Sequence, residues 1–153
     1  MSGQPAEVLF YHLERATLES VLPSLLERTL ERGWRAVVQS GSAERLEALD
    51  LSLWTYDDAS FLPHGMARDG DPARQPVYLT VGDDTPNGAG VRFLVDGAET
   101  SVFEGFVRIV CIFDGRDADA VARARQQWQA ARAAGSTVTY WRQSENGRWE
   151  KQG

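Results

Sequence analysis

Short apolar strands alternate with helical segments at the start of this sequence, and this alternation constrains the fold more than any other feature. Residues 7–13 are mostly apolar, and Thr17 is a suitable N-cap for a helix that ends at Gly33. Residues 34–39 predict a short buried strand, and Ser42 precedes a second helix. The alternation predicts parallel strands joined by right-handed crossovers, and therefore a three-layer α/β sheet flanked by helices.

Residues 54–74 lose this periodicity and predict a long loop. Pro63, Gly65 and Gly70 interrupt the segment, which also holds several aromatic side chains. Loops longer than about 15 residues in a compact domain are usually functional or disordered, and the aromatic content favours a functional one.

The remaining elements are predicted from apolar runs and capping residues. The apolar segment 108–113 is expected in the centre of a mostly parallel sheet. The clearest helix begins after Asp117 and ends before Gly135. Further predictions are strands at 77–81, 91–95 and 137–142, a short helix around 100–106, and a hairpin turn at Asn146 and Gly147 before a last strand at 148–151.

Length and composition predict a single domain over residues 1–153. The chain is 42% hydrophobic and 25% charged, which is ordinary for a folded protein. It holds no apolar run of the roughly 20 residues that span a bilayer, and its start lacks the pattern of a secretory signal. Cys111 is the single cysteine, so no internal disulfide is expected. These features predict a cytoplasmic protein.

The charge is unevenly distributed along the chain. The formal net charge is −6, which disfavours a protein that binds nucleic acid over its whole surface. The segment from Arg116 to the end nevertheless carries seven basic and four acidic residues, which suggests an anionic partner for the last quarter. Lys151 is the only lysine, so a phosphate-loop or Schiff-base lysine is hard to place.

No pattern in the sequence predicts a catalytic residue, a cofactor or a metal site. The glycine-rich segment 82–90 lacks the lysine of a phosphate loop, and no dinucleotide fingerprint follows the first strand of this Rossmann-like pattern. The histidines and Cys111 lack metal-ligand spacing. The alternative is a small magnesium- or nucleotide-dependent enzyme built from Asp114 and the acidic pairs at 57–58 and 83–84, although aspartate is also common in turns.

One face of the last helix combines an aromatic side chain with cations. Arg125, Trp128 and Arg132 lie at i, i+3 and i+7, and Val121 extends the stripe. Arginine beside tryptophan is frequent at binding hot spots, so the expected ligand is a short acidic and aromatic peptide or a strand of nucleic acid. Alternatively, Trp128 packs inward while the arginines extend into solvent. Direct single-strand binding by the basic last quarter would need more stacking aromatics than this face supplies.

Several segments, in order and with matching spacing, resemble the chi subunit family of bacterial DNA polymerase III. The resemblance covers nearly the whole chain. The segments that carry it are LW at 53–54, SFLPHG at 60–65, QPVYL at 75–79, RIVCIFDG at 108–115, AR at 122–123, Trp128, AG at 134–135 and YW at 140–141.

The resemblance implies a non-catalytic accessory subunit with an α/β fold. In this family, chi links the clamp loader, through the psi subunit, to the acidic C-terminal tail of single-stranded DNA-binding protein, which ends in aspartates followed by phenylalanine. Trp54, Arg125 and Trp128 match positions implicated in holding that tail. Gln129 stands where relatives carry a lysine, and Arg132, one turn further on, is expected to compensate.

The same resemblance implies a second surface for psi or the clamp loader. Phe61, beside Pro63, matches the position that packs against psi, and Leu62 and His64 belong to the same segment. Neither surface is expected to bind DNA in a sequence-specific manner or to contact a membrane.

Overall fold

The computed structural model describes residues 5–55, 62–144 and 148–152, which form one sheet with helices on it. The phenylalanine at 61, the acidic pair at 57–58 and the predicted turn at 146–147 lie outside the described residues. The strands are β1 Glu7–Leu13, β2 Ala36–Ser40, β3 Val77–Thr80, β4 Val91–Val95, β5 Arg108–Asp114, β6 Val138–Gln143 and β7 Trp149–Gln152, and the α-helices are α1 Leu18–Glu31, α2 Ala43–Thr55 and α3 Ala118–Ala133.

The sheet confirms the predicted α/β class. Its strand order is β3-β2-β4-β5-β1-β6-β7, and every neighbouring pair is parallel except the antiparallel β6 and β7. The apolar strand β5 is the fourth of the seven, in the centre, as predicted. A parallel sheet buries both of its faces, which explains why β5 lacks polar alternation.

Two large hydrophobic cores, one on each face of the sheet, produce the three layers. A third, small cluster holds Val37, Tyr78 and Ala89. The first core holds residues of α1 and α2, such as Leu22 and Leu49, packed on Phe93. The second core holds residues of α3, such as Ala124, packed on Phe10. The helices α1 and α2 therefore cover one face and α3 covers the other.

The predicted helix ends are confirmed. Thr17 and Ser20 form a capping box at the start of α1, and the Asp117 carboxylate accepts hydrogen bonds from two backbone amides of α3. Gly135, with φ of 88°, follows α3 in the left-handed conformation that ends helices.

The short helix predicted around residues 100–106 is absent, so that prediction was wrong. The segment is irregular because its backbone groups bind other parts of the protein. The Gln127 side chain accepts a hydrogen bond from the Thr100 amide at 2.8 Å and donates one to the Thr100 carbonyl at 2.9 Å. The carbonyl of Phe103 accepts a further hydrogen bond, from the Ala6 amide. These bonds take the place of the helical i to i+4 pattern.

The predicted loop at 54–74 begins too early, because α2 continues through Thr55 and carries Trp54 in its last turn. The described part of the segment contains two 3₁₀ turns, Ala67–Asp69 and Pro72–Arg74. Gly65 also pairs in parallel with Tyr78 of β3, so this part of the segment is held against the edge of the sheet. No helix within the described ranges is long and apolar enough to cross a membrane.

Candidate functional site

The face of α3 predicted from sequence spacing carries a half-buried tryptophan and two exposed arginines. The Trp128 ring packs on Phe10, with ring centroids 5.5 Å apart, and meets Tyr140 edge-on at 5.7 Å. Arg125 and Arg132 are exposed and form no ion pair with any described residue. Trp128 therefore packs inward, as one interpretation predicted, while the arginines remain available for a ligand.

Beside Trp128 lies a groove with a volume of about 330 Å³, which we call the α3 groove. The wall from α3 includes Arg125, the only charged side chain among the described lining residues, and β5 and β6 supply an aromatic floor. A mostly apolar groove with a cation beside it suits an apolar side chain next to a carboxylate. The lining residues are Phe113, Val121, Ala124, Arg125, Trp128 and Tyr140.

The floor residues Phe113 and Tyr140 were not assigned to a site by sequence reasoning. Phe113 lies on β5 and Tyr140 on β6, on either side of β1, and both point to the face that α3 covers. The alternation of side chains along β5 and β6 could have identified them, because it places Phe113 and Tyr140 on the same face of the sheet as Phe10 of β1.

A buried hydrogen bond holds the floor in place. The Tyr140 hydroxyl lies 2.5 Å from Nδ1 of His12. Burial, assisted by the nearby Arg142 charge, lowers the pKa of His12, and burial raises the pKa of Tyr140. The imidazole is therefore neutral at neutral pH, and the hydrogen bond between its Nδ1 and the phenol hydroxyl fixes the Tyr140 ring.

Gln129 and Arg132, also predicted for this site, are exposed on α3 but do not line the groove. Arg132 lies one helical turn beyond Trp128, so it flanks the groove at the carboxyl-terminal end of α3.

A second predicted group lies around the end of α2. The Trp54 side chain is 52% exposed, and its ring centroid lies 4.3 Å from that of His64. The His64 imidazole is buried, with Nδ1 2.7 Å from the Leu62 carbonyl oxygen and Nε2 3.3 Å from the Asp50 carboxylate. Pro63 between them is half-buried. We call Trp54 and Pro63, which are partly open to solvent beside the buried Leu62 and His64, the α2 surface.

The structure separates the predicted tail-binding residues into two groups. Trp54 belongs to α2, whose core lies on one face of the sheet, whereas Arg125 and Trp128 belong to α3 on the other face. The structure thus brings Trp54 together with His64 and not with Trp128. Sequence spacing could not show this, because it gives no information on which face each crossover helix covers.

A cavity of about 450 Å³ lies at the carboxyl ends of β1, β4 and β5. Open α/β sheets often bind ligands at this position. Here, however, Thr17 and Asp117 already cap the two adjoining helices, and Arg45 pairs with Glu19 and Asp96.

Asp114, the acidic residue proposed for the enzyme alternative, lines this cavity and serves the adjoining turn. Its carboxylate accepts hydrogen bonds from the Arg116 amide and guanidinium at 2.9 and 3.0 Å, and these bonds lower its pKa. A carboxylate stabilised in this way is a weak base. No group of three or more potential metal ligands occurs within the described ranges.

Cys111 lies in the middle of β5, and its burial raises the pKa of the thiol to about 12. The thiol is therefore protonated at neutral pH and acts as a small apolar side chain.

Comparison with known proteins points to one family. A family model described as DNA polymerase III chi subunit, HolC, matches residues 6–139, from β1 into β6. The chain is also similar to a protein of Rickettsia prowazekii (strain Madrid E) named Probable DNA polymerase III subunit chi. The two are 28% identical over 111 residues, which cover 68% of this chain and 67% of that protein. Both findings agree with the resemblance carried by the motifs.

Proposed function

Because the chain belongs to the DNA polymerase III chi subunit family, whose members are non-catalytic accessory subunits of replication, we propose that it connects single-stranded DNA-binding protein to the clamp loader. In this proposal, the α3 groove holds the acidic C-terminal tail of the binding protein. The α2 surface contacts psi or the clamp loader.

The single observation that carries the first part is the α3 groove itself. Arg125 has no ion-pair partner among the described residues and stands beside an apolar groove lined by Trp128 and Tyr140. A tail that ends in aspartates and phenylalanine offers a carboxylate for the guanidinium and a ring for the groove. Arg125 also interacts electrostatically with Tyr140 of the floor, because its positive charge opposes the rise in the pKa of Tyr140 that burial causes.

A titration with a fluorescently labelled tail peptide tests this part. We expect micromolar affinity, which corresponds to about −8 kcal/mol, and weakening as salt is added. The control peptide lacks the terminal phenylalanine and should bind far more weakly, because the groove is then left empty. Equal affinity for the two peptides, or no binding of either, would contradict the proposal.

Arg125→Ala is expected to weaken tail binding by about 1 to 3 kcal/mol, the range for losing a charge-assisted hydrogen bond. The fold should be unaffected, because the side chain is exposed. Arg123→Ala is the matched control, since Arg123 is also exposed on α3 but lies outside the groove lining. Anisotropy titrations of both variants decide the point, and equal affinities would remove Arg125 from the site.

The α2 surface supports the second part of the proposal. Trp54 exposes about half of a large aromatic side chain beside His64 and Pro63, and exposed tryptophans of this kind are frequent anchors of interfaces. This geometry supports assigning Trp54 to the proposed surface for psi or the clamp loader rather than to the tail site.

Trp54→Ala is expected to weaken capture of psi or the clamp loader by at least about tenfold, the effect of removing an interface anchor. Tail binding should be unchanged, because Trp54 and the α3 groove lie on opposite faces of the sheet. Arg125→Ala should give the opposite result in the same two assays. If Trp54→Ala weakens tail binding instead, the assignment by faces is wrong.

A further inference from the structure

A second groove, of about 330 Å³, lies on the face of the sheet opposite α3. It runs beside the carboxyl-terminal half of α1 and over β1, β5 and β6. On this face α1 packs on β2 and β5 and α2 packs on β2 and β3, whereas neither helix packs closely on β1 or β6 in the described ranges. Side chains of β1 and β6, rather than a helix, therefore form the groove floor. We call it the α1 groove.

The α1 groove is basic in a chain whose net charge is −6. Arg28, Arg32, Arg108 and Lys151 line it, and among the described residues Glu7 is the single acidic one in the lining. Glu7 pairs with Arg108 at 2.9 Å, while the other three cations form no ion pair with a described residue. Charge complementarity therefore calls for an anionic ligand with several charges in a row.

Aromatic rings lie between these cations. The guanidinium groups of Arg32 and Arg108 lie 5.6 and 5.5 Å from the ring centroid of Trp34. On the floor, the rings of Tyr11 and Trp141 come from register partners on β1 and β6 and lie 13° from parallel, with centroids 6.4 Å apart. All three rings are half-buried, so the lining presents apolar plates next to positive charges.

Two further observations connect the cations with the rings. The charges of Arg28 and Arg108 act on the Tyr11 hydroxyl, because they oppose the rise in pKa that burial causes. The indole N–H of Trp141 is buried and finds no acceptor within the described ranges. The groove therefore combines anion-attracting charge with ring faces.

We propose that the α1 groove binds single-stranded nucleic acid without sequence preference. Such sites combine a positive groove that follows the phosphates with aromatic rings on which successive bases stack. A duplex keeps its bases stacked inside and would use only the charges. The α3 groove is apolar with one cation beside it, which suits a single apolar side chain of a peptide. The α1 groove has four cations distributed among three rings, which suits a chain of phosphates and bases. The inference goes beyond the proposed function and does not depend on it.

The test measures binding of fluorescein-labelled dT12 by anisotropy at increasing salt. If three phosphates are contacted, the slope of log K against log salt should be about −2 for a single strand. Binding should also quench tryptophan fluorescence, as expected when bases stack on indole rings. The double variant Arg32→Glu with Lys151→Glu should lose at least about tenfold in affinity.

The matched control is Arg125→Glu with Arg132→Glu, which changes the net charge equally but lies on the α3 face. This control variant should retain affinity for dT12 and lose affinity for the tail peptide. The α1-groove variant should lose affinity for dT12 and retain affinity for the tail peptide. Equal loss of dT12 in both variants, or no binding even at low salt, would overturn the inference. So would an α1-groove variant that loses an acidic peptide but keeps dT12. Melting curves of both variants establish that they remain folded.

Discussion

Phe10→Ala is expected to lower the free energy of unfolding by about 3 to 5 kcal/mol, the usual cost of removing a buried phenyl ring. Phe10 lies in β1, is only 1% exposed, and belongs to the core on the α3 face. Its ring touches both Trp128, at 5.5 Å between centroids, and Tyr140, at 6.5 Å. The cavity left by the substitution would therefore open directly beneath the α3 groove.

Phe93→Ala is the matched control, since Phe93 is equally buried but packs in the core on the opposite face. Urea unfolding should show a similar loss of stability for both. The milder pair Phe10→Leu and Phe93→Leu then separates stability from binding, because both should remain folded. Only Phe10→Leu should weaken binding of the tail peptide. Equal peptide affinity in the two leucine variants would mean that the Phe10 ring does not support the groove.

Much of the fold could be predicted because it is encoded locally. The N-caps Thr17 and Asp117 and the apolar strand β5 depend on residues next to one another in the chain, and the structure confirms all three. The failed helix around residue 100 shows the limit. Its backbone binds the side chain of Gln127, 27 positions later, and no local pattern shows such a contact.

The candidate sites divide in the same way. Arg125 and Trp128 belong to one helix, so their spacing predicted a shared face. Trp54 was grouped with them, although α2 covers the other face. Spacing within one element is reliable, whereas grouping across elements requires the sheet topology.

The α1 groove was missed for a related reason. Its cations come from α1, β5 and β7, and the excess of basic residues in the last quarter of the chain contributes only Lys151. Counting charges along the sequence therefore could not reveal this site, because the fold brings its cations together from distant parts of the chain. With the α3 groove on the opposite face, the proposals place a peptide and a nucleic-acid strand where they would not compete.

Gly115→Ala is the second substitution with a large expected effect, a loss of about 2 to 4 kcal/mol through overpacking and a broken hydrogen bond. Gly115 follows β5, where its amide donates to the Leu13 carbonyl at 2.7 Å. An added Cβ would overlap the imidazole of His12 and lie 2.8 Å from the Leu13 carbonyl oxygen. His12 is itself enclosed by Phe113 and Tyr140, so its ring cannot move aside without leaving the Tyr140 hydroxyl.

Gly90→Ala serves as the control, because a Cβ there would make an ordinary 3.5 Å contact with Trp34 and the backbone is not left-handed. It should change the free energy of unfolding by less than about 1 kcal/mol. A double-mutant cycle with His12→Ala isolates the clash, since removing the imidazole should make Gly115→Ala much less costly. If the two costs simply add, the overlap with His12 is not the cause. The same cycle, repeated on tail-peptide affinity, tests whether Gly115 supports the α3 groove through His12 and Tyr140.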